Sequence, residues 1–221
     1  MSAILFGSIS TLADTSELQR QAFNEAFAAY GLDWNWSRDD YVSMLSSNGG
    51  AQRIEDYASS RGDDVDAAAV HAKKSEIFQH LLGTSTISPR PGVVATVDEA
   101  KRNDHKLGFV TTTSQGNINA LLSALQPHIS AEMFDLIVNG DSVSSPKPHP
   151  DVYAFALQQL GADAASAVAI EDNVGGVKSA AAAGVRCIAF PNENTVGGDF
   201  SAAEETVDSL DAARIVGLPT R

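Results

Sequence analysis

Short apolar runs alternate with longer amphipathic segments along most of the chain. Each apolar run is short enough for a buried strand, and most are bounded by glycine, proline or polar residues. Strands that alternate with helices in this way predict an α/β fold, a doubly wound, Rossmann-like parallel sheet with helices on both faces. The predicted strands cover residues 3–6, 107–112, 135–138, 167–171 and 185–190, and the predicted helices cover about 93–103, 115–125, a segment from Pro150, 174–183 and 208–216.

The segment from residue 15 to residue 89 has a different pattern. Its apolar positions recur at helical spacing, as Leu18, Ala22 and Phe23 do, and no convincing strand interrupts them. We therefore expect a core domain formed by residues 1–14 and 90–221, into which residues 15–89 are inserted as an all-helical cap domain. The helices predicted in this insert start near Glu17 and lie around 38–46, 51–60 and 66–82.

Composition and net charge limit the classes of partner that the protein can bind. The 221 residues carry a formal net charge of −13, so phosphate backbones and anionic membrane surfaces would be repelled, and we expect neither nucleic acid nor membrane as a partner. Cys187 is the single cysteine and excludes an intramolecular disulfide; its apolar neighbours favour a buried small side chain over a nucleophile. The apolar N-terminal run is too short for a signal peptide or a spanning helix. A cytoplasmic location is expected.

Several candidate functional residues lie at or just beyond the ends of the predicted strands. In a doubly wound sheet, ligands bind beyond the carboxyl ends of the strands, so these residues should converge. Each also has a simpler interpretation. Thr111 could be an ordinary hydroxyl residue at a strand end, and Lys147 could be a solvated loop lysine. Glu171 and Asp172 could cap the helix that follows them. Their common order and position favour an inherited site. The residues are Gly7, Thr111, Lys147, Glu171 and Asp172.

Four stretches in chain order carry a family resemblance: ILFGSISTLADT (4–15), LGFVTTTS (107–114), SPKPHPD (145–151) and VAIEDNVGGV (168–177). They resemble the four motifs of haloacid dehalogenase (HAD) superfamily phosphatases, subfamily I with a helical cap. The resemblance implies that the Thr111 hydroxyl and the N–H groups of Thr112 and Thr113 hold a phosphate. It also implies that Lys147 neutralises its charge. Glu171, Asp172 and the backbone carbonyl of Ile9 would then bind Mg²⁺.

The sequence of the helical insert narrows the resemblance to one branch of this superfamily. The stretch ELxxxAFNE (17–25) and the later GGxxRI (49–54) are similar to the CbbY-like branch, which includes sugar-phosphate phosphatases, some acting on a pentulose bisphosphate, and is related to beta-phosphoglucomutase. The resemblance implies that Arg53 and Lys74 meet the far end of a phosphosugar; a plain surface charge is an equal alternative for Arg53. Ser16, Gln19 and Ala51 depart from the acidic residue, histidine and lysine that are common in the family.

The first of the four motifs departs most from the family pattern. By this register Gly7 stands in place of the family's nucleophilic aspartate and Ile9 in place of its aspartate acid/base. Glycine has no attacking atom, and loss of a nucleophile costs roughly 8 kcal/mol of transition-state stabilisation. Ser8 or Ser10 would need an adjacent base, and no histidine is near either in the sequence.

Magnesium binding should weaken as well, because one carboxylate ligand is missing. We expect weak or absent Mg²⁺, with a pairing of Asp172 and Lys147 as a substitute arrangement. The leading hypothesis is a catalytically impaired CbbY-like protein that binds a small phosphorylated metabolite, inorganic phosphate or a protein partner. One alternative is an active sugar-phosphate hydrolase with a rearranged site, and another is a module that binds no phosphate.

Overall fold

The computed structural model describes residues 2–46 and 49–218. Its strands are β1 Ala3–Phe6, β2 Lys106–Val110, β3 Leu136–Val138, β4 Ala167–Glu171, β5 Arg186–Ala189 and β6 Glu205–Thr206. They form one sheet in the order β3-β2-β1-β4-β5-β6, and every neighbouring pair is parallel. The predicted parallel α/β fold is confirmed.

Helices cover both faces of this sheet. They are α1 Ile9–Leu12, α2 Ser16–Ala29, α3 Arg38–Ser43, α4 Gly50–Arg61, α5 Ala67–Thr84, α6 Val93–Arg102, α7 Gln115–Ala124, α8 Asp151–Leu160, α9 Val174–Ala182 and α10 Ala212–Gly217. Alternate residues of β1 point to opposite faces: Ile4 and Phe6 pack with α6, α7 and α10, whereas Ala3 and Leu5 pack with α8 and α9. Burial on both faces explains why the strands are continuous apolar runs.

Helices α2 to α5 share a hydrophobic cluster of their own, built on aromatic side chains. The Phe27 ring lies 4.6 Å from the Trp36 ring and the Phe23 ring 4.9 Å from it, measured between centroids. In the described part of the stretch 15–89, all regular structure is helical, as the spacing of its apolar positions predicts. No helix within residues 2–46 and 49–218 combines the length and the apolar character needed to cross a bilayer.

Some element boundaries differ from the prediction. The short helix α1 and the two-residue strand β6 were not predicted, because neither is long enough to show a periodic pattern. Strand β2 ends at Val110, two residues before the predicted end. The last helix begins at Ala212 instead of residue 208, because the Asp211 carboxylate caps it by accepting from the N–H of Arg214.

Candidate functional site

A cavity of about 420 Å³ lies beyond the carboxyl ends of β1, β2 and β4. The chain runs outward from β1 to β3 and then returns to β4 on the other side of β1, which is the position where doubly wound sheets bind ligands. Residues of the helical segment 16–84 form the opposite wall. Of the residues predicted for the site, those that line the cavity are Gly7, Ile9, Arg53, Lys74, Thr111, Thr112, Thr113, Lys147 and Asp172.

Lys147 is tied to the protein by all three of its ammonium donors. Its Nζ donates to the carbonyl oxygens of Gly7 (2.5 Å) and Val110 (2.8 Å), and to Glu171 Oε1 (2.6 Å). An ammonium group has three hydrogens, so none is left for a ligand in this arrangement. A phosphate could engage Lys147 only if one of these bonds were given up.

Glu171 fills the space that a side chain at position 7 would need. A Cβ atom built on Gly7 or on Gly176 would come closer to the Glu171 carboxylate than the 3.0 Å that real Cβ contacts respect. The carboxylate is completely buried, and its Oε1 also accepts from the Tyr153 hydroxyl (2.6 Å). Burial raises the pKa of Glu171, and Asp172 adds to this effect, while Lys147 opposes it. Glu171 is therefore a buried partner of Lys147 and does not line the cavity.

The expected pairing of Asp172 with Lys147 is wrong, since Glu171 takes the lysine. Glu171 ends β4 on the same face as Ala169 and Tyr153, and the next residue points the other way. Asp172 Oδ1 accepts from the hydroxyl of Ser8 and from Asn173 Nδ2 (2.8 Å). Its Oδ2 accepts from Asn192 Nδ2 (2.8 Å). Ser8 thus has a carboxylate partner that its sequence neighbours did not reveal.

These contacts do not fit a magnesium site of the kind that the resemblance implies. Glu171 is withdrawn from the cavity, and the Asp172 carboxylate is already satisfied by one hydroxyl and two side-chain amides. Across residues 2–46 and 49–218, no group of three or more histidine, cysteine or acidic side chains is placed to hold a metal ion. Of the residues predicted to bind Mg²⁺, Ile9 and Asp172 line the cavity, and the Ile9 carbonyl accepts from the N–H of Ala13 (3.3 Å).

The loop after β2 is ordered by its own hydroxyls. Thr111 Oγ1 accepts from the N–H of Thr113 (3.2 Å), and Thr113 Oγ1 accepts from Asn117 Nδ2 (2.9 Å). Asn117 Oδ1 in turn accepts from Gln79 Nε2 (3.0 Å), which links this loop to α5. The N–H of Thr113, predicted to hold phosphate, is therefore engaged within the loop, while the threonine hydroxyls line the cavity beside the N-terminus of α7.

Basic side chains form the opposite wall. The Arg53 guanidinium lies 5.6 Å from the Tyr41 ring centroid, and Lys74 Nζ donates to Gln19 Oε1 (3.0 Å). Burial, with a smaller contribution from Arg53, lowers the pKa of Lys74 to about 7. Burial, Lys74 and Arg53 together lower the pKa of His71 to about 4. Asp172 is the one acid among the described residues that line the cavity, against the basic residues Arg53, Lys74 and Lys147, although the chain as a whole is acidic.

The residues of this site that were missed at the sequence level include His71, Asn192 and Tyr153. His71 precedes Lys74 by three residues on α5, so helical spacing places both on one face. Asn192 follows β5 and could have been found by the same strand-end rule as Glu171. Tyr153 lies on α8 and contacts Glu171 on the face of the sheet that α8 covers, and no sequence pattern indicates that contact.

A loop after β5 joins the site to the helical segment. Asn192 and the Thr195 hydroxyl bind Asp172, the latter at its backbone carbonyl (2.6 Å). From the other side, Arg38 Nε donates to Asn194 Oδ1 (2.7 Å), and Asn194 Nδ2 donates to Glu17 Oε1 (2.7 Å). The loop therefore connects the remaining acid of the cavity to helices α2 and α3.

Comparison with known proteins identifies similar sequences and similar folds. The model of the haloacid dehalogenase-like hydrolase family matches residues 6–190. The protein CbbY of Rhodobacter capsulatus is 39% identical over 99% of this chain and 98% of its own. Crystal structures of CbbY from Rhodobacter sphaeroides, one in complex with phosphate and one with xylulose-(1,5)bisphosphate, each superpose with a TM-score of 0.86 at 39% identity, covering 95% of both chains.

Proposed function

Since the chain belongs to the haloacid dehalogenase-like hydrolase family and its relatives include CbbY proteins, we propose that it binds a phosphorylated sugar with little or no hydrolysis. The supporting observation is the carboxylate of Glu171, which occupies the side-chain space of position 7 and holds Lys147. In this proposal residues 1–14 and 90–221 form the α/β core domain, and residues 15–89 form the helical cap domain.

Loss of hydrolysis follows from what positions 7 and 9 can offer. Covalent phosphoryl transfer needs an attacking atom, and Gly7 has none. Glu171 cannot replace it, because its carboxylate is buried between Gly7 and Gly176 and bound by Lys147 and Tyr153. Ile9 also removes a proton donor for the leaving oxygen, worth typically ~100- to 10,000-fold in rate. The expected rate therefore lies many orders of magnitude below that of an intact site.

Ligand binding is better preserved than catalysis. In the proposal one phosphate lies against Thr111, Thr112 and Thr113 at the N-terminus of α7, where backbone dipoles favour an anion. Lys147 would contribute only by giving up one of its three hydrogen bonds to the protein. Across the cavity, Arg53 and Lys74 face the other end of the ligand. A carboxylate at position 7 or 9 would repel a phosphate, and neither residue carries one, so we propose that binding needs no Mg²⁺.

Calorimetric titration tests the proposal. Inorganic phosphate and xylulose 1,5-bisphosphate would each be titrated into the protein with EDTA and, separately, with excess Mg²⁺. We expect saturable binding of the bisphosphate with an affinity that Mg²⁺ changes less than threefold. Thr111→Val should weaken it, whereas Thr84→Val, on an exposed hydroxyl at the end of α5, should not. Absence of heat at millimolar ligand would refute the proposal. Binding of a protein partner would then be the remaining hypothesis.

The contact between Ser8 and Asp172 supports a second candidate, an active hydrolase with a rearranged site. In it the Ser8 oxygen attacks phosphorus and its proton passes to Asp172. The bond from phosphorus to the sugar oxygen breaks, and that oxygen takes a proton and leaves as the sugar hydroxyl. The two side-chain amides on Asp172 argue against this role, because they already bind both oxygens of the carboxylate that would have to accept the proton. Phosphatase activity that Ser8→Ala abolishes and Ser10→Ala retains would favour this candidate over the first.

A further inference from the structure

We propose that Lys74 is a carbonyl-reactive amine, which forms an imine with a small phosphorylated aldehyde or ketone bound in the cavity. The open-chain form of a sugar phosphate belongs to this chemical class. The inference rests on the proposed function, since the phosphate group would bring the carbonyl into the cavity. It adds a covalent step that phosphate binding does not require.

The placement of Lys74 supports this reactivity. Its side chain is 4% exposed, yet its end lines the cavity together with Phe23 and Gln19. The amine lies 4.7 Å from the Phe23 ring centroid and 4.9 Å from that of Phe78, so the phenyl rings keep water away from much of it. Gln19 Oε1 is one acceptor for its hydrogens.

The charges around Lys74 favour its neutral form. On α4, Arg53 contributes a positive charge, and on α5 the partly buried His71 lines the same wall. On α2, Gln19 is uncharged. In the described part of the chain no carboxylate forms an ion pair with Lys74, so desolvation is not offset by an opposite charge. The aromatic rings attract an ammonium ion and offset only part of this penalty.

A pKa of about 7, caused by burial and by Arg53, leaves a large neutral fraction at physiological pH. An ordinary exposed lysine is almost fully protonated there, and a desolvated lysine beside another cation is a known way to make a nucleophilic amine. Lys73, the next residue, is the natural comparison. It is more exposed and pairs with Glu76 (2.9 Å), which raises its pKa.

The reaction is a condensation that balances without a further reagent. The nitrogen lone pair attacks the carbonyl carbon, the C–N bond forms, and the carbonyl oxygen takes a proton to give a carbinolamine. Loss of that hydroxyl with a second proton from nitrogen releases one water and leaves the C=N bond. Water reverses the step, so the adduct is observed only when it is trapped.

Pyridoxal 5′-phosphate is a suitable probe, because it joins an aldehyde to a phosphate and its imine absorbs visible light. The full-length protein would be treated with it near pH 7.5, reduced with sodium borohydride and mapped by tandem mass spectrometry. We expect Lys74 to be labelled at least tenfold faster than Lys73. Labelling should persist in Lys73→Arg and disappear in Lys74→Arg, and inorganic phosphate should slow it.

Controls separate this inference from the proposed function. Pyridoxal, which lacks the phosphate, should label Lys74 at least tenfold more slowly. Equal labelling of the two lysines in the unmodified protein, or labelling elsewhere only, would overturn the inference whether or not the variants fold. If calorimetry shows bisphosphate binding while Lys74 stays unlabelled, the imine is refuted and the binding proposal stands.

Discussion

Gly7 and Gly176 both lie against the Glu171 carboxylate, and neither has a Cβ atom that would push it away. Lys147 and Tyr153 hold its Oε1 from the remaining directions. The space left by a missing side chain at position 7 is thus filled from β4 by a carboxylate that also neutralises the buried lysine. Such a charge pair is costly to break, because removing one partner leaves the other buried and unpaired.

This packing predicts the effect of one methyl group. Gly7→Ala should lower the free energy of unfolding by about 1–3 kcal/mol, since the new Cβ must displace Glu171 from a close-packed position. Gly83→Ala is the matched control: nothing lies within 4 Å of a Cβ there, and alanine favours the helix by about 1 kcal/mol. Urea denaturation measures both changes. Equal stability of the two variants would show that Glu171 does not occupy this position.

A second residue-scale prediction concerns pH. The folded protein keeps His71 neutral, with a pKa of about 4 against 6.5 for the free side chain. Between these values the unfolded chain binds a proton that the folded chain does not, so stability falls as the pH drops below 6.5. We expect this histidine to contribute a loss of about 2 kcal/mol between pH 7 and pH 5.

Denaturation of His71→Gln at both pH values measures that contribution. The variant should be less sensitive to acid than the wild type by this amount, because its side chain stays uncharged. His80→Gln, on an exposed residue of the same helix, should follow the wild type. The same acid sensitivity in all three proteins would contradict the assignment to His71.

At the scale of secondary-structure elements, the loop after β5 connects the sheet to the helical segment. Arg38 of α3 donates to Asn194 Oδ1 and to the carbonyl of Glu193 (2.9 Å). Asn194 is nearly fully buried, whereas the ion pair of Arg38 with the Glu193 carboxylate is half exposed and adds little. The hydrogen bonds to the loop therefore account for most of what Arg38 contributes.

Arg38→Ala should release this connection without unfolding the protein. We expect amide hydrogen exchange to become about tenfold faster in residues 192–196 and at the start of α3, because the free energy of local opening decreases. Arg61→Ala is the comparison, since Arg61 pairs with Asp33 and Asp63 inside the helical segment. Unchanged exchange in the loop of Arg38→Ala would show that other contacts hold these elements together.

At the scale of the whole molecule, sequence patterns predict the arrangement of the fold better than the side-chain contacts in its site. The parallel sheet follows from buried runs that alternate with helices, and the strand-end rule places Thr111, Lys147 and Asp172 around one cavity. The inward turn of Glu171 was not predicted, because a motif gives residue types and not rotamers. The side chains of Glu171 and Asp172 point in opposite directions at the end of β4. Their directions depend on contacts with Tyr153 and Asn192, which come from distant segments of the chain.

The most direct test of the central claim is a sensitive phosphatase assay of the full-length protein with xylulose 1,5-bisphosphate and Mg²⁺. Lys147→Ala and Asp172→Ala would be measured beside the wild type. We predict that phosphate release does not exceed that of these two variants, because Gly7 provides no attacking carboxylate and Glu171 remains buried in its place. Turnover by the wild type that either substitution abolishes would contradict this account.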